Sequence, residues 1–245
     1  MILTSNDIET LAIRVLRDYG DDPQYTILIE RFAIEYLGLA LQFERLSPDL
    51  RVLGITTYKE TQIRILGWDC RTITVPEKAI IIEKSLLPPR LVLHTDSHRR
   101  AKGRLRFTLA HECAHQILYR ADPAHFQKML DKRADRPYFA RELKSETDWC
   151  EWQANSLASA LLMPRQRIAD FLGDKKIRVY GNSVHFLDSC VFARLATALD
   201  VTYTALLIRL TQLGYTKRIA YSEFVGTKEE YTDEHKNKTP INQAV

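Results

Sequence analysis

The sequence has few cysteines, little glycine and proline, and no long apolar run. Its four cysteines form no C-x-x-C pair, so we predict neither a disulfide framework nor a cysteine zinc site, and we expect a reducing, cytoplasmic setting. No apolar run approaches the ~20 residues of a membrane-spanning helix, so we expect no membrane anchor. The N-terminus has early acidic residues and no apolar stretch of secretory length, which argues against export.

The composition that remains is that of a globular protein. Hydrophobic residues make up 45% and charged residues 27% of the 245 positions, and this length can bury a core without disulfides. The net charge of +4 is unevenly distributed, because residues 94–106 and 165–220 are both basic. The first basic zone is expected to be a solvated loop. The second makes contact with nucleic acid one hypothesis.

Hydrophobic periodicity predicts helices at the start of the chain and strands after them. A first helix is predicted around Ile8–Leu16, and a second over 25–41 with Gly38 as its stop. Four runs rich in β-branched residues, at 52–57, 62–66, 72–75 and 79–82, predict an antiparallel meander. Helical patterns then continue from Leu105 to about Gly214. The predicted caps of the first helix are Asn6 or Asp7 at its start and Gly20 at its end.

One helical segment contains the motif H-E-x-x-H at His111, Glu112 and His115. Residues four apart project from one face of an α-helix, so both imidazoles can bind a single metal ion. Glu112 lies beside that face, where its carboxylate can reach a metal-bound water rather than the metal. This arrangement is typical of a zinc hydrolase. The alternative is a core helix whose two histidines hydrogen-bond to nearby carbonyls.

A catalytic zinc ion usually has three protein ligands and one water, so a third ligand is needed. The strongest candidate is Glu151, with Asn155 four residues further on the same helical face. There Asn155 can accept the free N–H of a zinc-bound histidine. In the alternative, Asp148 caps this helix and Glu151 is its N3 capping partner, without any metal. Spacing alone leaves both open, and other candidate ligands are His94, His98, His125 and His185.

Together these two motifs resemble the ImmA/IrrE family of zinc metallopeptidases. The first is R-F-T-L-A-H-E-x-A-H, ending at His115, and the second is E-x-x-A-N-x-L-A-x-x-L-L-M-P, beginning at Glu151. The chain has Ala114 where the family commonly has glycine, and Leu157 where it commonly has phenylalanine. Both differences preserve size or polarity.

The resemblance implies a gluzincin-like site in which His111, His115 and Glu151 bind Zn²⁺ and Glu112 is the general base. With the predicted strands, it implies an α+β, zincin-like catalytic domain with a small antiparallel sheet packed on helices. It also implies a regulatory endopeptidase whose protein substrate is a helix-turn-helix repressor governing a mobile element or a stress response. The group that would stabilise the oxyanion stays open among Tyr119, Tyr138, Tyr180 and His185.

Residues 190–214 support a second hypothesis. They predict two helices joined by a tight turn at 200–202, as in a helix-turn-helix. The polar face of the second helix, with Tyr203, Thr204 and Arg209, is poor in side chains that read bases. A helical pair that completes the peptidase core or docks a protein substrate is therefore favoured. The alternative function is a DNA-binding transcriptional regulator with a structural or vestigial zinc site.

These patterns divide the chain into three predicted segments. Residues 1–173 form the zinc metallopeptidase domain, 174–225 the helix-turn-helix-like segment, and 226–245 a polar tail. Trp149 and Trp152 flank Glu151 and are expected to be core residues rather than a substrate platform.

Overall fold

The computed structural model describes residues 3–20, 26–47, 49–65, 70–88, 96–123 and 146–225. It combines helices and small sheets, so the predicted α+β class is confirmed. The first helix, α1 (Ser5–Tyr19), is capped by Thr4, whose hydroxyl accepts the amide of Asp7 while Asp7 accepts the amide of Thr4. The prediction of Asn6 or Asp7 as the cap was wrong, because Asp7 is the N3 partner. Gly20, at φ 74°, ends α1 as predicted.

The predicted second helix is shorter than its hydrophobic pattern. Helix α2 (Ile29–Arg31) continues as a π-helical turn over Phe32–Tyr36, and Gly38, at φ 63°, stops it as predicted. The extension of this helix to Leu41 was wrong. Strand β1 (Ala40–Glu44) begins directly after the turn, because its residues pair with a buried strand further along the chain.

All four predicted strands are present, but they do not form a meander. They are β2 (Gly54–Thr57), β3 (Thr61–Ile65), β4 (Arg71–Val75) and β5 (Ala79–Glu83). β5 is central, parallel to β1 and antiparallel to β2, whereas β3 and β4 pair only with each other in the described sheets. The sheet that borders the candidate site is therefore mixed rather than antiparallel. β5 takes the centre because its continuous apolar run is buried at every position and needs cover on both faces.

Two long helices pack together beneath this sheet. They are α3 (Asp96–Ala121) and α4 (Glu146–Leu162), and α1 packs on α4. The basic run 98–104 lies in the first turns of α3, so the prediction of a solvated loop was wrong. Two of its cations have partners on or beside a distant turn: Lys102 lies 2.6 Å from Asp200, and the Arg99 guanidinium lies 4.4 Å above the Tyr203 ring.

The C-terminal part of the described chain combines short helices with a small sheet. Helix α6 (Phe186–Leu199) and helix α7 (Tyr203–Gln212) meet at 101°, with Asp200 in the left-handed region at the predicted turn. No single described helix is long and apolar enough to cross a membrane; α6 and α7 satisfy that test only as a bent pair. The remaining elements are α5 (Arg165–Leu172), β6 (Ile177–Tyr180), β7 (Ser183–Val184) and β8 (Thr216–Arg218), with β6 between β7 and β8.

One apolar core links these elements from Ile8 to Leu210, and it includes residues on both sides of position 173. The predicted packing of α6 on α7 contributes to it, with Leu195, Leu199, Val201, Leu206 and Leu210 all buried. Arg209 of α7 is also buried and donates to both carboxylate oxygens of Glu9 in α1 and to the Met163 carbonyl. The predicted domain division stays a prediction, and the tail 226–245 lies outside the described residues.

Candidate metal centre

Helices α3 and α4 bring two imidazoles and one carboxylate to a common point. His111 and His115 are one turn apart on α3, and Glu151 projects from the first half of α4. The two Nε2 atoms are 3.0 Å apart, and each lies 3.1 Å from a different oxygen of Glu151. The ligand atoms of these three side chains therefore lie close enough together to hold one metal ion.

The electrostatics of the cluster also favour a cation. Burial alone would raise the pKa of Glu151, but its hydrogen bonds with His111 and His115 outweigh burial and hold that pKa well below the ordinary value. Burial alone would lower the pKa of His111, yet Glu151 and Glu112 outweigh it and the pKa is raised. The carboxylate is thus ionised at neutral pH, and the imidazoles face concentrated negative charge.

Asn155 fixes the orientation of one imidazole. Its Oδ1 lies 3.0 Å from Nδ1 of His111, so in the neutral ring this contact favours the proton on Nδ1 and leaves the Nε2 lone pair available to a metal ion. Glu151 and Asn155 lie on one face of α4 because they are four residues apart. Helix α4 begins at Glu146, so Asp148 lies inside the helix and the alternative capping-box interpretation of Glu151 was wrong.

Glu112 occupies a different place, between α3 and strand β2. It is buried, with 6% of its surface exposed, and it faces Gly54 of β2. A Cβ at position 54 would lie 2.5 Å from Glu112 Oε1. One helical turn further, the buried Gln116 donates to Thr56 Oγ1 at 2.7 Å and to the Thr57 carbonyl at 2.9 Å.

The other predicted candidates lie elsewhere. His98 is 13 residues before His111 on α3, about 20 Å along the helix axis, and is too distant to share a metal. His185 is fully buried as the N-cap of α6, where its Nδ1 accepts the Leu187 amide. Tyr180 packs on Tyr221, and Tyr119 follows His115 by one turn and packs on Tyr58. His94, His125 and Tyr138 lie outside the described residues.

The tryptophans beside Glu151 pack against each other, and one of them also packs against the core. Trp149 and Trp152 meet edge to face with ring centroids 5.7 Å apart, and Trp152 contacts the main core. Cys113, inside the H-E-x-x-H motif, points to the opposite side and is completely buried, and burial raises the pKa of its thiol. The helix therefore presents its histidines to the cluster and its small apolar residues to the core.

The family model of the IrrE N-terminal-like domain, a peptidase M78 domain, matches residues 81–211, more than half of the chain. The chain belongs to this family. The resemblance seen in the sequence is thereby confirmed, and the family supports a peptidase. Its matched region contains both helices that carry the cluster. A comparison with curated proteins finds no significant match.

Two residues of the site were missed in the sequence, Gly54 and Gln116. Gly54 precedes the matched region, and nothing local to it indicates proximity to α3. Gln116 carried a usable signal, since it is four residues after Glu112 and must share its helical face. A buried glutamine there requires hydrogen-bond partners, and β2 supplies them.

Proposed function

We propose that the protein is a zinc-dependent endopeptidase with His111, His115 and Glu151 as metal ligands and Glu112 as general base. The observation that carries this proposal is the convergence of the two Nε2 atoms and the Glu151 carboxylate, with Glu112 on the same helix, in a member of a peptidase family. This donor set of two imidazoles and one carboxylate is the one that catalytic zinc sites use.

The spacing of the donor atoms is compatible with one bound zinc ion. With metal–ligand bonds of about 2.05 Å and tetrahedral angles, ligand atoms would be about 3.3 Å apart. Here the three separations are 3.0, 3.1 and 3.1 Å, so a small outward shift of each side chain would complete the coordination. Asn155 already holds His111 in the tautomer that leaves Nε2 free to bind.

In this proposal helix α3 carries the general base and two metal ligands, and helix α4 carries the third ligand. A zinc ion held by His111, His115 and Glu151 would supply a Lewis acid for the scissile carbonyl and the attacking water. The Glu112 carboxylate takes a proton from the attacking water and delivers it to the amide nitrogen that leaves. Glu151 neutralises part of the positive charge at the site, and burial of His115 and Glu112 restricts access of bulk water.

The substrate in this proposal is a protein, a helix-turn-helix repressor that governs a mobile element or a stress response. The resemblance to the ImmA/IrrE family supports this choice. The contacts of Arg209 argue against the alternative of DNA recognition by α7, because this arginine, the one charged residue of α7, is bound to Glu9 and Met163. The side chain therefore cannot reach a base without breaking a buried ion pair.

The test compares the parent protein with Glu112→Gln, His115→Ala and the exposed control Glu77→Gln. Zinc content is measured by plasma mass spectrometry after dialysis, and cleavage of a candidate repressor and of a pool of proteome-derived peptides by mass spectrometry of the products. We expect about one zinc per chain in all variants except His115→Ala. Cleavage is expected only in the parent and in Glu77→Gln.

Two results would contradict the proposal. A Glu112→Gln protein that cleaves as fast as the parent would exclude Glu112 as the base. A parent protein that retains less than about a tenth of an equivalent of zinc, not restored by added zinc, would exclude a metallopeptidase.

A further inference from the structure

Strand β2 runs beside helix α3, and successive contacts between them are spaced equally along both elements. Glu112 faces Gly54, and Gln116 faces Thr56. Two strand residues advance by about 6.6 Å and four helical residues by about 6.0 Å, so the two elements stay in register over this contact. The hydrogen bonds from Gln116 to Thr56 and to the Thr57 carbonyl fix the distance between the strand and the helix.

Gly54 occupies a position where its backbone conformation gives no reason for glycine. Its φ lies outside the left-handed region, which in the described chain contains Gly20, Gly38, Gly173, Gly181 and Gly214. Glycine weakens a strand, and within one it often marks close approach by another group. The approaching group here is Glu112: a Cβ on Gly54 would lie 2.5 Å from Oε1, 2.8 Å from Cγ and 2.9 Å from Cδ.

We propose that Gly54 is a positioning residue for the reaction, because the space left by its missing side chain is the space that holds the Glu112 carboxylate. This inference rests on the proposed role of Glu112 as general base. Gln116 supports this role, because its hydrogen bonds to β2 prevent the strand from moving away from α3. Position 54 thereby sets where the base stands relative to the ligands on the same helix.

The effect of a larger residue at position 54 depends on whether strand β2 or the Glu112 side chain moves to make room for it. β2 is held on one side by its ladder with β5 and on the other by Gln116. The atoms that a new Cβ would meet all belong to the Glu112 side chain, two in its carboxyl group and one at Cγ, so rotation of that side chain relieves the contact. An alanine at position 54 therefore displaces the carboxylate rather than the strand. The cost falls on catalysis more than on stability.

The test is the Gly54→Ala variant of the zinc-loaded protein, compared with the parent. Crystal structures of both should show the Glu112 carboxylate displaced by about 1 Å or more, with His111, His115 and Glu151 unchanged. Such a displacement of a catalytic group lowers kcat by about 100-fold. KM should stay within about threefold and zinc content at about one equivalent, because substrate binding and the ligands are untouched.

The matched control is Ile55→Ala on the same strand. Ile55 packs on the opposite side, against the small cluster formed by Leu46, Val75, Ala79 and Ile81. Truncating it should lower Tm by roughly 3–10 °C while leaving kcat within about twofold. If Ile55→Ala lost as much kcat as Gly54→Ala, general disturbance of β2 would explain both, and the positioning role would be wrong.

A second background separates this inference from the proposed function. In a Glu112→Ala protein none of the three atoms that a Cβ at position 54 would meet remains, so adding Gly54→Ala should change neither the residual activity nor Tm. An undisplaced carboxylate in the Gly54→Ala crystal structure would overturn the inference. If the parent cleaves nothing, the proposed function fails, whereas the two crystal structures still decide whether Gly54 sets the position of Glu112.

Discussion

The contact between Asn155 and His111 gives a quantitative prediction about metal affinity. In the parent protein the Nδ1 proton of His111 is donated to Asn155 Oδ1 at 3.0 Å. Replacing Asn155 with alanine removes that acceptor, frees the ring to rotate and allows the other tautomer, in which Nε2 carries the proton and cannot bind zinc. The variant should fold normally, since Asn155 is exposed and alanine is favourable in a helix.

The expected loss of zinc affinity can be estimated from the solvent exposure of the hydrogen bond between Asn155 and His111. Removing an outer hydrogen-bond partner of a metal-binding histidine typically weakens metal affinity 10- to 100-fold. Water can replace the amide oxygen here because Asn155 is exposed, so the lower end applies. One net hydrogen bond is worth about 0.5–1.5 kcal/mol, which converts to about 2- to 13-fold. We therefore expect zinc to bind about tenfold more weakly to Asn155→Ala.

The assay is competition for zinc against a fluorescent chelator at fixed pH. Asn155→Asp keeps an acceptor in place and should bind zinc at least as tightly as the parent. Asn6→Ala, an exposed asparagine near the start of α1, is the control for changing asparagine to alanine in a helix. Equal affinities for the parent and Asn155→Ala would refute the argument that this hydrogen bond prepares His111 for the metal.

Two further predictions concern stability. Arg209→Ala leaves the Glu9 carboxylate and the Met163 carbonyl without their buried partner, and should lower the free energy of unfolding in urea by about 2–4 kcal/mol; an unchanged value would contradict this. Burial opposes ionisation of Asp188, yet hydrogen bonds from Arg178 hold its pKa at about 2. Because this folded pKa lies below the unfolded one, about 2 kcal/mol of stability is present above about pH 4 and is lost towards pH 2. In metal-free protein, the free energy of unfolding of the parent should therefore exceed that of Asp188→Asn above about pH 4. This difference should disappear as the pH falls towards 2.

The parts of the site that are close in sequence were predictable. His111 and His115 share a helical face by periodicity alone, and Asn155 is placed relative to Glu151 by the same rule. That Glu151 meets the histidines was not predictable from spacing, since the contact joins two helices that only tertiary packing brings together. The family motif supplied what periodicity could not.

The errors came from long-range pairing. The four strand segments were correct, but their order was not, because burial of the whole of β5 places it at the centre with β1 and β2 beside it. The basic run at the start of α3 resembled a loop because its partner, Asp200, is about a hundred residues away. Gly54 could not be recognised for the same reason: its significance lies in Glu112, which the sheet brings to it.

The ion pair between Glu9 and Arg209 also has a consequence for synthesis on the ribosome. Its two residues are 200 positions apart, so α1 is made early but completes its contacts only when α7 has been translated. At about 5–20 residues per second, that interval is about 10–40 s. Helix α4, which packs on α1, is translated well before that point, so α1 can dock on α4 while Glu9 still lacks Arg209. The contact of α1 with α7 therefore forms late in synthesis, and it ties the first described helix to a segment made 200 residues later.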